Sequence, residues 1–172
     1  MYQVQNEAGK MKIGVISDTH NKLENTQEIV AQMQQENIAY LIHAGDIGQN
    51  VLDFLATLPL KTIAVYGNTD TSLYNSNPQK VILQKQPYYF KIGNTTFKLM
   101  HQPYFLTPDS DVVIYGHLHK FSCERAKSLF INPGEVCARE KPRIEGALLD
   151  LSTKEVTYIY KEKEWHKQKV CA

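Results

Sequence analysis

Four of the six histidines in this 172-residue chain stand with two aspartates and an asparagine where apolar runs give way to polar residues. IGVIS leads into Asp18-Thr19-His20, YLIHA into Gly45-Asp46, and IAVY into Gly67-Asn68-Thr69-Asp70. FKLM leads into His101, and VVIY into Gly116-His117-Leu118-His119. Carboxylate, imidazole and amide donors without thiolate suit Mn²⁺, Fe, Co²⁺, Ni²⁺ or Zn²⁺ better than the all-oxygen sites of Ca²⁺ or Mg²⁺. Asp18/His20 and His117/His119 are both spaced i, i+2, which in an extended chain turns both side chains to one face. Gly45, Gly67 and Gly116 each precede a candidate donor, where the missing Cβ permits a sharp turn and a close approach of backbone. His43, between Ile42 and Ala44, reads as structural support, and His166 as a surface residue.

Donors spread over about a hundred positions meet only if the fold delivers strand ends to one place. Residues 11–17 (MKIGVIS) are apolar and β-branched with little alternation, as a strand buried on both faces should be. Over 23–36, Leu23, Ile29, Val30 and Met33 fall on one helical stripe, with Asn21 as the expected N-cap. A strand at 39–44, a helix at 50–57 and a strand at 61–66 complete a β-α-β-α-β order, which implies a mainly parallel sheet with right-handed crossovers. In such sheets ligands bind beyond the carboxyl ends of the strands, where all five polar junctions lie.

After residue 80 the chain is strand-rich. Segments 87–92 and 95–101 flank a Gly93-Asn94 hairpin signal, and strands are expected at 112–115, 128–131, 144–151 and 155–160. So many short elements bury their apolar faces only as two packed sheets with helices outside. The mixed-charge run 161–169 (KEKEWHKQK) reads as a solvated face or frayed end. One domain is therefore drawn over 11–160, with a charged tail at 161–172 and residues 1–10 set apart as an extension.

With 19 Lys+Arg against 18 Asp+Glu, the net charge of +1 supplies no global field for nucleic acid or anionic lipid. No apolar run approaches the roughly 18 residues of a membrane span, and the start lacks a signal-peptide core. Cys123, Cys137 and Cys171 are odd in number, widely spaced and without a CxxC pair. That pattern argues against a disulfide framework or a zinc ribbon and for a reducing, cytoplasmic setting. GxxxxGK, HExxH and GxSxG are all missing, which sets aside P-loop, zincin and serine-hydrolase chemistry.

The ordered set DTH, GD, GNTD, strand-terminal His and GHLH resembles the calcineurin-like metallophosphoesterase superfamily. The short chain, GD without a following DR, a residue other than His after GN, and a late NPGE resemble its small prokaryotic phosphodiesterases of the YfcE type. The likeness runs from about Met11 to Leu151. It implies an α/β fold, a four-layer αββα sandwich of two mixed sheets flanked by helices. It also implies two divalent transition-metal ions, Mn²⁺ first and Ni²⁺, Zn²⁺, Fe or Co²⁺ as alternatives. Asp18, His20, Asp46 and His119 would hold one, and Asp46, Asn68, His101 and His117 the other, with Asp46 bridging. The implied reaction is hydrolysis of a small phosphodiester by a hydroxide bridging ions roughly 3.5–4 Å apart. Asp46, Asn68, Asp70 and His101 would be the catalytic set, Asn68 would also contact substrate, and Lys22, Lys120 and Arg139 are weaker candidates for its distal part. Four charges on the ions, less two carboxylates and one hydroxide, leave one positive charge for a phosphodiester anion.

Departures from the family pattern carry their own expectations. Thr69 stands where many members place a His resembling a general acid, which favours diesters over stable alkyl monoesters. Asp70 then reads as a carboxylate orienting a ligand imidazole. His101-Gln102-Pro103 replaces the usual HG and could narrow the pocket. Glu135 replaces a frequent Ser and would repel phosphate if it pointed inward. Tyr104 and Phe105 read as core residues before base-stacking ones. The rival reading is a non-catalytic interaction scaffold resembling the retromer subunit of this fold, and a phosphomonoesterase or nuclease of the superfamily is a further alternative. Competent residues at all seven ligand positions favour the enzyme, and no membrane or nucleic-acid partner is expected. Association into a homo-oligomer is left open.

Overall fold

The computed structural model describes residues 11–76, 78 and 80–171. The extension expected at 1–10 lies outside them. In chain order the elements are β1 (Lys12–Ile16), α1 (Leu23–Gln35), β2 (Ile38–His43), α2 (Gln49–Leu55), β3 (Lys61–Val65), β4 (Val81–Gln84), β5 (Tyr88–Ile92) and β6 (Thr95–Leu99). β7 (Val112–Ile114), β8 (Phe121–Arg125), β9 (Leu129–Pro133), β10 (Ile144–Asp150), β11 (Val156–Lys161) and β12 (Trp165–Val170) follow. A short 3₁₀ turn lies at Thr71–Leu73.

The strands form two mixed sheets, β12-β11-β10-β1-β2-β3-β4 and β5-β6-β7-β9-β8. β1 is central in the larger sheet, parallel to β2 and antiparallel to β10. This is why MKIGVIS lacks alternation: Ile13 and Val15 face the second sheet while Ile16 packs with the helices, and all three are fully buried. Burying each such side chain contributes about 1.5–3 kcal/mol. The stripe Ile29, Val30 and Met33 of α1 joins Val51, Leu52 and Leu55 of α2 over the large sheet. Phe97, Leu99, Val112, Ile114 and Ile131 meet β1 and β10 residues between the sheets.

Among the described residues both α-helices lie on the larger sheet. The parallel β6–β7 connection is a loop, and it covers the outer face of the smaller sheet. There the Lys98 stem is buried and its Nζ donates to Thr107 Oγ1 (2.9 Å) and Asp109 Oδ1 (3.1 Å). No helix among the described residues is long and apolar enough to cross a membrane.

Three expectations are corrected. The run 161–169 is no frayed tail: β12 pairs antiparallel with β11, from Lys161↔Trp165 to Val156↔Val170, and Trp165 packs against the helix-side core. The domain therefore extends past residue 160, because an edge strand may carry charges on its solvent face. Asn21 caps α2 rather than α1: its Oδ1 accepts the Asn50 N–H at 2.8 Å, and Lys22 takes the cap position of α1. Cys123 and Cys171 are disulfide-bonded with Cα atoms 5.6 Å apart, linking β8 of one sheet to the chain just beyond β12 of the other. Their separation of 48 residues hid a contact that exists only once the sheets are stacked, so the cysteine argument for a reducing compartment falls.

Candidate metal centre

Strands β1, β2, β3, β6 and β7 deliver the seven candidate donors to one end of the sandwich, each just beyond a strand's carboxyl end. The loops after β1 and β2 are zipped together, with the N–H groups of Asp18, His20 and Asn21 donating to the carbonyls of Gly45, Asp46 and Ile47 at 2.9–3.0 Å. Asp18, His20, Asp46, His117 and His119 all have positive φ, between 41° and 70°. Non-glycine residues rarely adopt this region, and its strain persists only where surrounding structure enforces it. The i, i+2 pairs therefore sit in turns, not extended chain. Asp18 and His20 still share a cluster, whereas His117 and His119 separate to opposite sides.

Close backbone approach explains two of the glycines. A Cβ on Gly67 would lie 2.1 Å from Asp46 Oδ1 and 2.2 Å from its backbone nitrogen. On Gly116 it would lie 2.1 Å from Ser17 Oγ and 2.9 Å from Asp18 Oδ2.

The donors form two lobes. In the first, Asp18 Oδ2 accepts from Ser17 Oγ (2.7 Å) and the His117 N–H (3.1 Å). Its buried Oδ1 has no hydrogen-bond partner and faces His119 Nε2 at 3.1 Å and His20 Nε2 at 3.7 Å. The two Nε2 atoms are 3.4 Å apart. In the second lobe Asn68 Oδ1 lies 2.9 Å from His101 Nε2 and 3.2 Å from His117 Nδ1. Asp46 joins them: Oδ1 takes the Thr69 N–H at 2.9 Å, and Oδ2 stands 3.5 Å from His20 Nε2 and 3.2 Å from His101 Nε2.

This arrangement demands positive charge. His101 Nδ1 donates to the Ala44 carbonyl at 2.7 Å, so neutral His101 turns a lone pair toward Asp46 Oδ2 and Asn68 Oδ1. Acceptors crowded together without a proton or cation are costly in a buried site. In the metal-free protein protons meet the need. Burial disfavours the charged form of His101, yet Asp46 and Asp18 hold its pKa above the ordinary value. The Asp18 carboxylate, against burial, raises His119 to about 9. Burial likewise opposes ionisation of Asp46, but His101 and the Thr69 N–H bring it to about 2. Asp18 is also held low, burial being outweighed by His119, His20 and Ser17. The Asp18 and Asp46 oxygens and the imidazoles around them fit divalent metal ions, which on binding would replace protons on the imidazoles.

Among the supporting residues, Asp70 and Gln102 act otherwise than their positions suggested, while His43 gives the structural support read from the sequence. Asp70 contacts no imidazole: it accepts the N–H groups of Ile47 (2.9 Å) and Gly67 (2.8 Å), pinning the Asp46 and Asn68 loops to each other. Burial raises its pKa against those N–H bonds. Buried His43 accepts the Gly45 N–H at Nδ1 (3.0 Å), which leaves its Nε2 proton for Thr19 Oγ1 (2.9 Å). Burial pushes it down to about 3, so it is neutral. Gln102 turns away and its Oε1 accepts from Gln86, while Gln86 Oε1 accepts the His101 and Gln102 N–H groups. Glu135 is fully buried and lies 2.6 Å from His119 Nδ1. Tyr104 and Phe105 are 68% and 46% exposed, not core residues. Lys22, Lys120 and Arg139 are exposed.

Sequence reasoning missed Gln86, the Thr69 amide and Cys137. The Cys137 thiol lies near His20 and His119, one potential ligand atom from each being within 4.8 Å of the others. Burial pushes that thiol up to about 12, so it stays protonated. Gln86 and Thr69 act through an isolated amide and a backbone N–H, which leave no pattern in a sequence.

Residues 11–154 match the calcineurin-like phosphoesterase superfamily domain. Phosphodiesterase MJ0936 of Methanocaldococcus jannaschii is 31% identical over 166 residues, covering 88% of this chain and 100% of that protein. Phosphodiesterase YfcE of Escherichia coli K12 is 27% identical over 149 residues, 73% of this chain and 79% of its own length. The structure of vacuolar protein sorting 29 from Cryptosporidium parvum superposes with a TM-score of 0.69 over 95% of this chain and 100% of that one, at 20% identity. At that identity the likeness speaks for the shared fold alone.

Proposed function

From the premise that this chain belongs to the calcineurin-like phosphoesterase superfamily, we propose that it is a binuclear phosphodiesterase, with Mn²⁺ the first choice of metal. Asp18, His20, Asp46 and His119 would hold one cation, and Asp46, Asn68, His101 and His117 the other. The observation that carries this reading is Asp46 Oδ2, placed between His20 of one lobe and His101 of the other. Bound cations would bring a water's pKa toward neutrality and neutralise phosphate oxygens during in-line displacement.

The chain's own residues narrow the substrate. Asn68 turns Oδ1 toward the imidazoles, which leaves its amide NH₂ as a donor for a phosphoryl oxygen. The Thr69 hydroxyl cannot protonate a leaving group near neutral pH, so the reading favours diesters whose leaving group needs no strong acid. Exposed Lys22, Lys120 and Arg139 are candidates for contact with the far end of such a substrate.

The test is turnover of an activated aryl phosphodiester against the matching monoester, with Mn²⁺ supplied and then chelated. Metal-dependent cleavage that prefers the diester is expected, and Asp46→Ala or His117→Ala should abolish it. Undiminished cleavage by both variants would end the proposal. Tight metal binding with no turnover of either ester would instead favour the scaffold reading.

A further inference from the structure

We propose that Glu135 is a positioning residue that makes the Asp18/His20/His119 lobe the tighter of the two cation sites; the inference rests on the binuclear reading above. Its Oε2 lies 2.6 Å from His119 Nδ1. A carboxylate there requires the proton on Nδ1, so neutral His119 keeps its lone pair on Nε2, which lies 3.1 Å from Asp18 Oδ1 and 3.4 Å from His20 Nε2. A buried carboxylate behind a ligating imidazole fixes the ring and strengthens it as a donor.

The carboxylate is itself held. Glu135 Oε1 accepts the N–H groups of Glu140 (2.9 Å) and Lys141 (3.0 Å), and Oε2 accepts from the Cys137 thiol (3.4 Å). Lys141 Nζ approaches Oε1 at 3.7 Å and also pairs with buried Glu145 at 2.6 Å. None of these contacts turns the carboxylate toward the cluster of Asp46, Asn68 and His117, where it would meet phosphate. In the other lobe, the corresponding support for His101 is the neutral Ala44 carbonyl. The two imidazoles are thus oriented alike, but only one is backed by an anion.

The experiment is calorimetric titration of metal-free protein with Mn²⁺, comparing wild type, Glu135→Gln, Glu135→Ala and Asp18→Asn. The wild type is expected to bind two equivalents. Glu135→Gln retains an acceptor for Nδ1–H without the charge. It should weaken one affinity about 10–100-fold and leave the other in place; because its NH₂ then faces the Glu140 and Lys141 N–H groups that Oε1 accepts in the wild type, the thermal midpoint should fall as well. The weakened site should be the one that Asp18→Asn impairs. Glu135→Ala should lose more, and ¹⁵N spectra of its metal-free form, taken at alkaline pH where His119 is neutral, should show His119 no longer held as the Nδ1–H tautomer. Both variants take the acceptor away from the Glu140 and Lys141 amides, so Gln, which alone keeps an acceptor for Nδ1–H, is the deciding variant, and the readout is the loss at one affinity but not the other. Two unaltered affinities in Glu135→Gln, or equal losses at both sites, overturn the role of Glu135 alone. A wild type that binds no Mn²⁺ overturns the binuclear reading and this inference together.

Discussion

The two lobes of the centre use similar side chains to different electrical ends. The Asp18 lobe lies deeper, contains a carboxylate with one donorless oxygen, and has Glu135 behind its His119. The Asn68 lobe has no carboxylate of its own apart from the Asp46 oxygen it shares; its remaining donors are neutral, and its His101 leans on a carbonyl. Two sites a few ångströms apart can therefore differ in affinity through the charge around them rather than through the number of donors.

Asp18→Asn should break the comparison most sharply. It removes one anion from the deep lobe, and the loss in that affinity should exceed the roughly 10–100-fold typical of a supporting partner. Asn68→Ala removes a neutral donor and should weaken only the outer affinity, by less. Mn²⁺ titration of the two variants distinguishes them, and losses of equal size would erase the proposed asymmetry.

Gly67→Ala tests the residue that both lobes share. A Cβ there collides with Asp46, so the protein should lose about 1–3 kcal/mol of stability in denaturant unfolding. Both Mn²⁺ affinities should fall together, since the displaced carboxylate serves both.

The smallest effect on metal binding concerns the frame beneath the lobes. His43 titrates near 3 when folded, because burial disfavours its charge, against about 6.5 when unfolded. Below pH 6.5 the unfolded chain takes up a proton that the folded protein refuses, so stability falls as pH drops toward 3, by at most about 1.4 kcal/mol per pH unit from this residue. Above pH 6.5 it contributes no slope. His43→Gln should flatten the pH dependence of metal-free unfolding between pH 6.5 and 5, and an unchanged slope would assign the acid sensitivity to other groups.

Much of the fold was legible because the strands of the larger sheet near its centre are buried on both faces and α1 on one, and both patterns are written in local residue order. β4, β8 and β12 were not. VILQ and FSCER are short and half-exposed, and β12 is a charged edge strand that looks like a solvated tail until its register with β11 is known. The Cys123–Cys171 bond escaped for a related reason: its halves lie in different sheets.

What the amino-acid order determined was chemical. Two carboxylates, an amide and four imidazoles stand at strand ends, with glycines where backbone must come close, and that set already names the donors. The division of the imidazoles between two groups was implied by the family resemblance, but how the i, i+2 pairs turn was decided only by tertiary structure, as was the capping of α2 by Asn21. The same holds for Asp70, which binds loops instead of an imidazole, and for Glu135, which backs His119 rather than facing phosphate. The physical reason is the left-handed backbone at five of the seven donors. Such turns are unfavourable locally and are held by hydrogen bonds between distant loops, so no short stretch of sequence could specify where their side chains point.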